Sequence, residues 1–147
     1  MTDDARPEAP MPFRDLTPSC PRCRVDLARV TTVRDGWACR RCDGALLGVG
    51  DVIDLLLEVA PELMPTSGAV RDLRTVPRGR AEPLPCGLCG AAMDPVFLGG
   101  AEVDRCDHDG VLFFEDGELA RVVARARTQH AARRSRWRRA LARLLGY

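Results

Sequence analysis

The chain has 147 residues, 46% hydrophobic but only 5% aromatic, with 13 glycines, 11 prolines, seven cysteines and a net charge of +1. A conventional single core of this length would bury about 70% of the extended chain's surface, but the apolar residues here come in short bursts beside the cysteines. That pattern argues against one large packed domain and for two small units, each needing a staple. No stretch reaches the roughly 18 apolar residues of a membrane span, and the acidic opening Met1-Thr2-Asp3-Asp4 is followed by no apolar signal region, which predicts a cytoplasmic chain.

In chain order, residues 1–18 carry four prolines and no apolar periodicity, and are expected to be disordered. The first unit, residues 19–60, opens on Cys20-Pro21-Arg22-Cys23. Val25, Leu27, Val30 and Val33 alternate imperfectly with polar residues up to the turn signal Asp35-Gly36, predicting a β-hairpin that leads to Cys39 and Cys42. Gly44 to Leu47 reads as a third short strand. A helix capped by Asp51 follows through Val59 and is stopped by Pro61. Residues 61–84, rich in proline, read as a flexible linker.

The second unit, residues 85–120, repeats the first. One constant offset carries Cys20 and Cys23 onto Cys86 and Cys89, and Leu27 onto Met93. An offset longer by a single position carries Cys39 onto Cys106, Leu46-Leu47 onto Phe113-Phe114, and Gly50-Asp51 onto Gly117-Glu118. One insertion near Gly99-Gly100 reconciles the two offsets, so the chain reads as an internal duplication. Residues 121–147 are expected to form a basic amphipathic helix with a weak middle at Thr128 to Ala132, where it frays or bends. Trp137, Leu141, Leu144 and Leu145 recur there at i, i+4, i+7 and i+8. Residues 119–147 hold nine arginines and no acid, while the rest of the chain holds 13 arginines against 21 acids. The chain is thus an acidic body with a basic tail.

The cysteine spacing carries the chemistry. Zinc takes four soft or borderline ligands in a tetrahedron, and each Cys-x-x-Cys turn supplies two thiolates at once. In a reducing compartment such pairs are metal ligands more often than disulfides, and an odd count argues against a complete disulfide set. Cys20, Cys23, Cys39 and Cys42 make a complete Cys₄ set, which leaves no open position and is therefore structural. Cys86, Cys89 and Cys106 lack a fourth thiol. His108 offers imidazole, the better zinc ligand beside three thiolates, and is favoured; Asp109 keeps the x-x spacing and is the alternative; a degenerate site that uses neither is the third reading. The expected cofactor is Zn²⁺ at two sites.

These motifs resemble a known family. Cys20-Pro21-Arg22-Cys23 with Cys39-Arg40-Arg41-Cys42-Asp43-Gly44, and Val103-Asp104-Arg105-Cys106 with Glu115-Asp116-Gly117-Glu118-Leu119, look like two tandem copies of the bacterial transcription factor zinc-finger (TFIIB-type zinc ribbon) domain. The resemblance covers residues 19–55 and 85–122. Leu46 and Phe113 stand where that family usually has Trp, Gly48 where it has Asp, and Gly50-Asp51-Val52 where it has Gly-Glu-Leu. The resemblance implies a small metal-stabilised α+β fold: two zinc β-ribbons, each followed by a helix, with the C-terminal basic amphipathic helix added.

Thioredoxin-like redox chemistry would want one Cys-x-x-Cys at a helix N-terminus after a βαβ pattern, and the chain has neither. A catalytic zinc would need a base, for which only Glu115 or Glu118 offers itself, and both sit where helix capping explains them. The chain reads as a non-enzymatic adaptor or regulatory module with no small-molecule substrate. Arg133, Arg134, Arg136, Trp137, Arg138 and Arg139 are the candidate partner-binding residues. They suit nucleic acid, an acidic protein or an anionic membrane surface, or simply form a solvated cationic face.

Overall fold

Six strands and two helices make up the described part of the protein: β1 (Ala28–Arg29), β2 (Gly36–Ala38), β3 (Ala45–Gly48), α1 (Val49–Val59), β4 (Asp94–Leu98), β5 (Ala101–Cys106), β6 (Val111–Phe114) and α2 (Glu118–Leu145). The computed structural model describes residues 17–61 and 82–145. Most of the stretch expected to be disordered (1–18) and of the expected linker (61–84), namely residues 1–16 and 62–81, lies outside the described residues, as does the end of the tail at 146–147.

The strands form one antiparallel sheet in the order β1-β2-β3-β6-β5-β4. The two halves are therefore continuous through β3 and β6, where the sequence suggested two separate small units. Register repeats along with the sequence. Ala28 faces Ala38 in the first half and Asp94 faces Arg105 in the second; Trp37 faces Leu46 and Asp104 faces Phe113. The single insertion falls in the hairpins. Gly99 and Gly100 make the two-residue turn between β4 and β5 with φ of +55° and +86°, as a type I′ turn requires. The first half uses the longer turn of residues 31–35 instead.

Side chains alternate across a strand, and this splits the apolar pairs between two cores. Leu47, Phe114, Leu112, Val96, Val103, Val52 and Val122 pack on one face, beneath α1 and the first turns of α2. Leu46, Phe113, Leu27, Met93 and Val111 pack on the other, against Cys20, Cys39, Cys86 and Cys106. Helices thus cover one side of the sheet and the cysteine turns cover the other. The result is a small α+β fold carrying two cysteine clusters.

Two local expectations change. Asp51 does not cap α1, whose N-cap is Gly48 with no side-chain bond. Its carboxylate instead accepts the N–H groups of Arg34 (3.0 Å) and Asp35 (2.8 Å), tying the hairpin turn to the helix. Glu118 does cap its helix, accepting the Glu115 N–H at 2.8 Å. Finally, α2 runs unbroken through residues 128–132, with the Thr128 hydroxyl donating to the Ala124 carbonyl at 2.9 Å. Val122 and Ala126 are the last buried residues among those of the helix whose side chains are described. From Arg127 to Arg143 every described side chain is exposed except the half-buried His130. At about 1.5 Å per residue, this is a cationic rod of roughly 25 Å standing beyond the sheet.

Candidate metal centres

Four tight turns build the two centres, and all four share one backbone design. In each, the N–H of the second ligand position points at the first cysteine's sulfur: Cys23 to Cys20 at 3.3 Å, and likewise Cys42 to Cys39, Cys89 to Cys86 and Asp109 to Cys106. The next residue then enters the left-handed region, at Arg24 (φ +62°), Asp43 (+56°), Gly90 (+75°) and Gly110 (+63°). This reversal lets the chain leave while both ligands still point inward. The first and third turns also share an isolated bridge, Ser19 with Asp26 and Pro85 with Ala92.

The turns converge in pairs. The ligand atoms of Cys20, Cys23, Cys39 and Cys42 lie within 4.8 Å of one another, as do those of Cys86, Cys89, Cys106 and Asp109. Cys20 Sγ is 3.7 Å from Cys42 Sγ, and Cys89 Sγ is 3.7 Å from Cys106 Sγ. A tetrahedron with Zn–S bonds of about 2.3 Å has an S···S edge of about 3.8 Å, whereas a disulfide would require about 2.05 Å. All seven cysteines are free thiols. The donor sets and their spacing therefore fit a tetrahedral metal of zinc's size, and the same donors would also accept other thiophilic ions.

At the second centre the structure brings in Asp109, where the sequence favoured His108. Asp109 Oδ2 lies 3.1 Å from Cys86 Sγ and 3.4 Å from Cys106 Sγ. The His108 side chain is 71% exposed, and its Nδ1 is 3.1 Å from the other carboxylate oxygen, Oδ1. His108 is thus an outer partner that orients the ligand. The reason is the turn geometry: the third residue after Cys106, and not the second, projects into the cluster. The sequence carried that signal, since Asp109-Gly110 matches Cys89-Gly90 in both spacing and the following glycine.

Burial pushes the Cys20 thiol up to about 12, against the opposing N–H groups of Cys23 and Arg22. Burial likewise raises Cys23, Cys86 and Cys106. At Cys39 burial also acts upward but is outweighed by the N–H groups of Arg41 and Cys42 and by the neighbouring thiols, lowering it to about 7. Asp109 is lowered to about 2 because contacts with Cys89, Cys86, His108 and Cys106 outweigh its burial. A metal entering either cluster must therefore displace thiol protons.

The candidate partner residues Arg133, Arg134, Arg136, Arg138 and Arg139 are exposed along α2, beyond its last buried residue. Trp137 belongs to the same helix, though its side chain lies outside the described set. Arg139 Nη2 donates to Ser135 Oγ at 3.4 Å, and none of these five arginines has an ion pair with a carboxylate among the described contacts. No described helix is long and apolar enough to cross a membrane.

Comparison of the chain with protein-family models, with characterised proteins and with solved structures finds no match.

Proposed function

We propose that this protein is a zinc-binding, non-enzymatic adaptor or regulatory module: two structural zinc sites lock one face of a sheet, and the sheet presents a cationic helix to a partner. The observation that carries the zinc reading is the pair of four-donor clusters, each with sulfurs at the tetrahedral edge length. Zinc is the choice because its borderline softness and lack of geometric preference suit thiolate-rich tetrahedra. The resemblance to TFIIB-type zinc ribbons points the same way and suggests a transcription-related setting. Elemental analysis of the purified protein tests the metal: two zinc ions per chain support the reading, and none overturns it.

The partner surface is α2 beyond Ala126. Its arginines suit a polyanion, so nucleic acid is the first reading, with affinity falling steeply as salt rises. A second reading is an anionic membrane surface. It is favoured by the i, i+4, i+7, i+8 spacing of Trp137, Leu141, Leu144 and Leu145 in the sequence of a helix that continues to Leu145. Charge reversal at Arg133, Arg134, Arg138 and Arg139 distinguishes the two. Loss of salt-dependent DNA binding with liposome binding retained supports the first reading; the opposite supports a membrane scaffold. Loss of neither leaves the helix a solvated face and removes both.

A further inference from the structure

The repeat makes the two clusters nearly equivalent, so their one chemical difference stands out. Asp109 occupies the place that Cys42 holds in the first cluster. A carboxylate oxygen is a harder donor than a thiolate and holds a borderline-soft ion less firmly. Its second oxygen faces His108, which stands 71% exposed, so the carboxylate has a partner on the solvent side as well as on the side of the sulfurs. The neighbouring Cys89 is the only exposed ligand of the eight, the other seven being buried or half-buried. Residues 109–111 also form one wall of a cleft of about 430 Å³, whose other walls include Trp37, Leu88 and the start of α1. That volume suits a small organic molecule.

We propose that the second cluster is an exchangeable metal site, opened by release of Asp109 toward a low-molecular-weight thiol in the adjoining cleft, while the first cluster holds its ion permanently. The inference rests on the zinc reading and adds a division of labour to it. No electrons move in the exchange. The incoming thiol gives its proton to solvent, its sulfur replaces the carboxylate, and the carboxylate keeps its charge and its bond to His108. The cleft supplies apolar contact from Trp37, Leu88 and Val111 and polar groups from Arg34 and Asp54. A site of this kind hands zinc over or takes it up under the control of the thiol pool, without unfolding the Cys₄ half.

The test uses the full-length zinc-loaded protein mixed with excess chromogenic chelator, with and without 2-mercaptoethanol. Two release phases are expected, one zinc each, separated by at least about tenfold, the low end of what loss of even an outer-shell partner costs in metal affinity. Mercaptoethanol should accelerate the fast phase alone. Asp109→Cys, which restores a Cys₄ set, should merge the fast phase into the slow one, and Cys42→Asp should create a fast phase at the first cluster. Two zinc ions leaving in a single phase overturn the inference while sparing the zinc reading; fewer than two bound ions overturn both the two-site reading and the inference. A fast phase that persists in Asp109→Cys, or that ignores the thiol, removes the role given to Asp109 or to the cleft.

Discussion

Leu46 and Phe113 face each other as Cα partners where β3 meets β6, and they occupy the same position in the two repeats. A twofold axis that exchanges two paired repeat equivalents passes between them, so the two halves meet across a local twofold at this pair. Both side chains are fully buried on the cysteine-bearing face. Gly44 is packed closely enough that a Cβ there would meet the Phe113 ring at 2.7 Å. The junction is thus a shared core and not a tether.

Truncating that junction should weaken both halves together. Phe113→Ala is expected to cost about 3–5 kcal/mol through lost burial and a residual cavity. Urea unfolding of the metal-loaded variant in a Trp137→Phe background, which leaves Trp37 as the single tryptophan, followed by Trp37 fluorescence from the first half and by metal release from the second cluster, should show coincident transitions shifted to lower denaturant. Shifted metal release beside an unshifted Trp37 signal would show two independent halves.

The two first-ligand turns touch directly, and Gly87 allows it. Ser19 N–H donates to the Gly87 carbonyl at 3.0 Å, and a Cβ on Gly87 would run into the Ser19 carbonyl oxygen. That obstacle is backbone and cannot rotate away, so Gly87→Ala should destabilise by about 1–3 kcal/mol. Gly50→Ala, where a Cβ meets nothing within 4 Å, is the control and should be neutral or slightly stabilising. Thermal melts of the two variants check the contrast.

Metal loading should release protons unequally. Burial keeps the Cys20 and Cys86 thiols protonated at neutral pH, while Asp109 is already charged there. The first cluster offers four thiols and the second three, so Asp109→Cys should raise total proton release on zinc binding by about one. Calorimetry in buffers of different ionisation enthalpy measures the count. Affinity should fall as pH drops, because protons then compete for the sulfurs. An unchanged count in Asp109→Cys would mean that residue 109 is not a ligand.

Glu118 is 9% exposed, and burial raises its carboxyl above the usual glutamate range, with the Glu115 carboxylate adding to the rise against the Glu115 N–H and Arg121. A raised carboxyl binds its proton more tightly when folded than when unfolded. Folding stability from this group is therefore fully present below the unfolded value and is lost as pH climbs through the folded one. Glu118→Gln keeps an oxygen for the Glu115 N–H and removes that loss. Relative to the parent, the variant should gain stability as pH rises from about 4 to about 7. Denaturant melts across that range decide it, and a gain that shrinks with rising pH would contradict the assignment.

Much of the candidate site was legible in local spacing. A Cys-x-x-Cys turn is a short-range object whose side chains point together because of backbone conformation within a few neighbouring residues, so the grouping of the seven cysteines into two clusters could be read directly. The duplication was equally visible, since equivalent residues meet equivalent needs: Leu27 and Met93 are both buried against the clusters. Spacing alone did not settle His108 against Asp109, because ligand chemistry favoured imidazole while backbone geometry favoured the carboxylate. The fold places the Asp109 carboxylate among the three sulfurs and leaves the His108 ring exposed.

From the sequence alone came one complete four-cysteine group, a second group of three cysteines with its fourth member open, a repeated strand-and-helix pattern and a basic C-terminal helix, all set by interactions between near neighbours in the chain. Only the tertiary structure decided that β3 pairs with β6, that the helices cover one face and the cysteine turns the other, and that α2 leaves the body after Ala126. Those outcomes depend on which apolar faces find each other between segments far apart in the chain. An edge strand's unpaired N–H and C=O groups look alike whichever partner satisfies them.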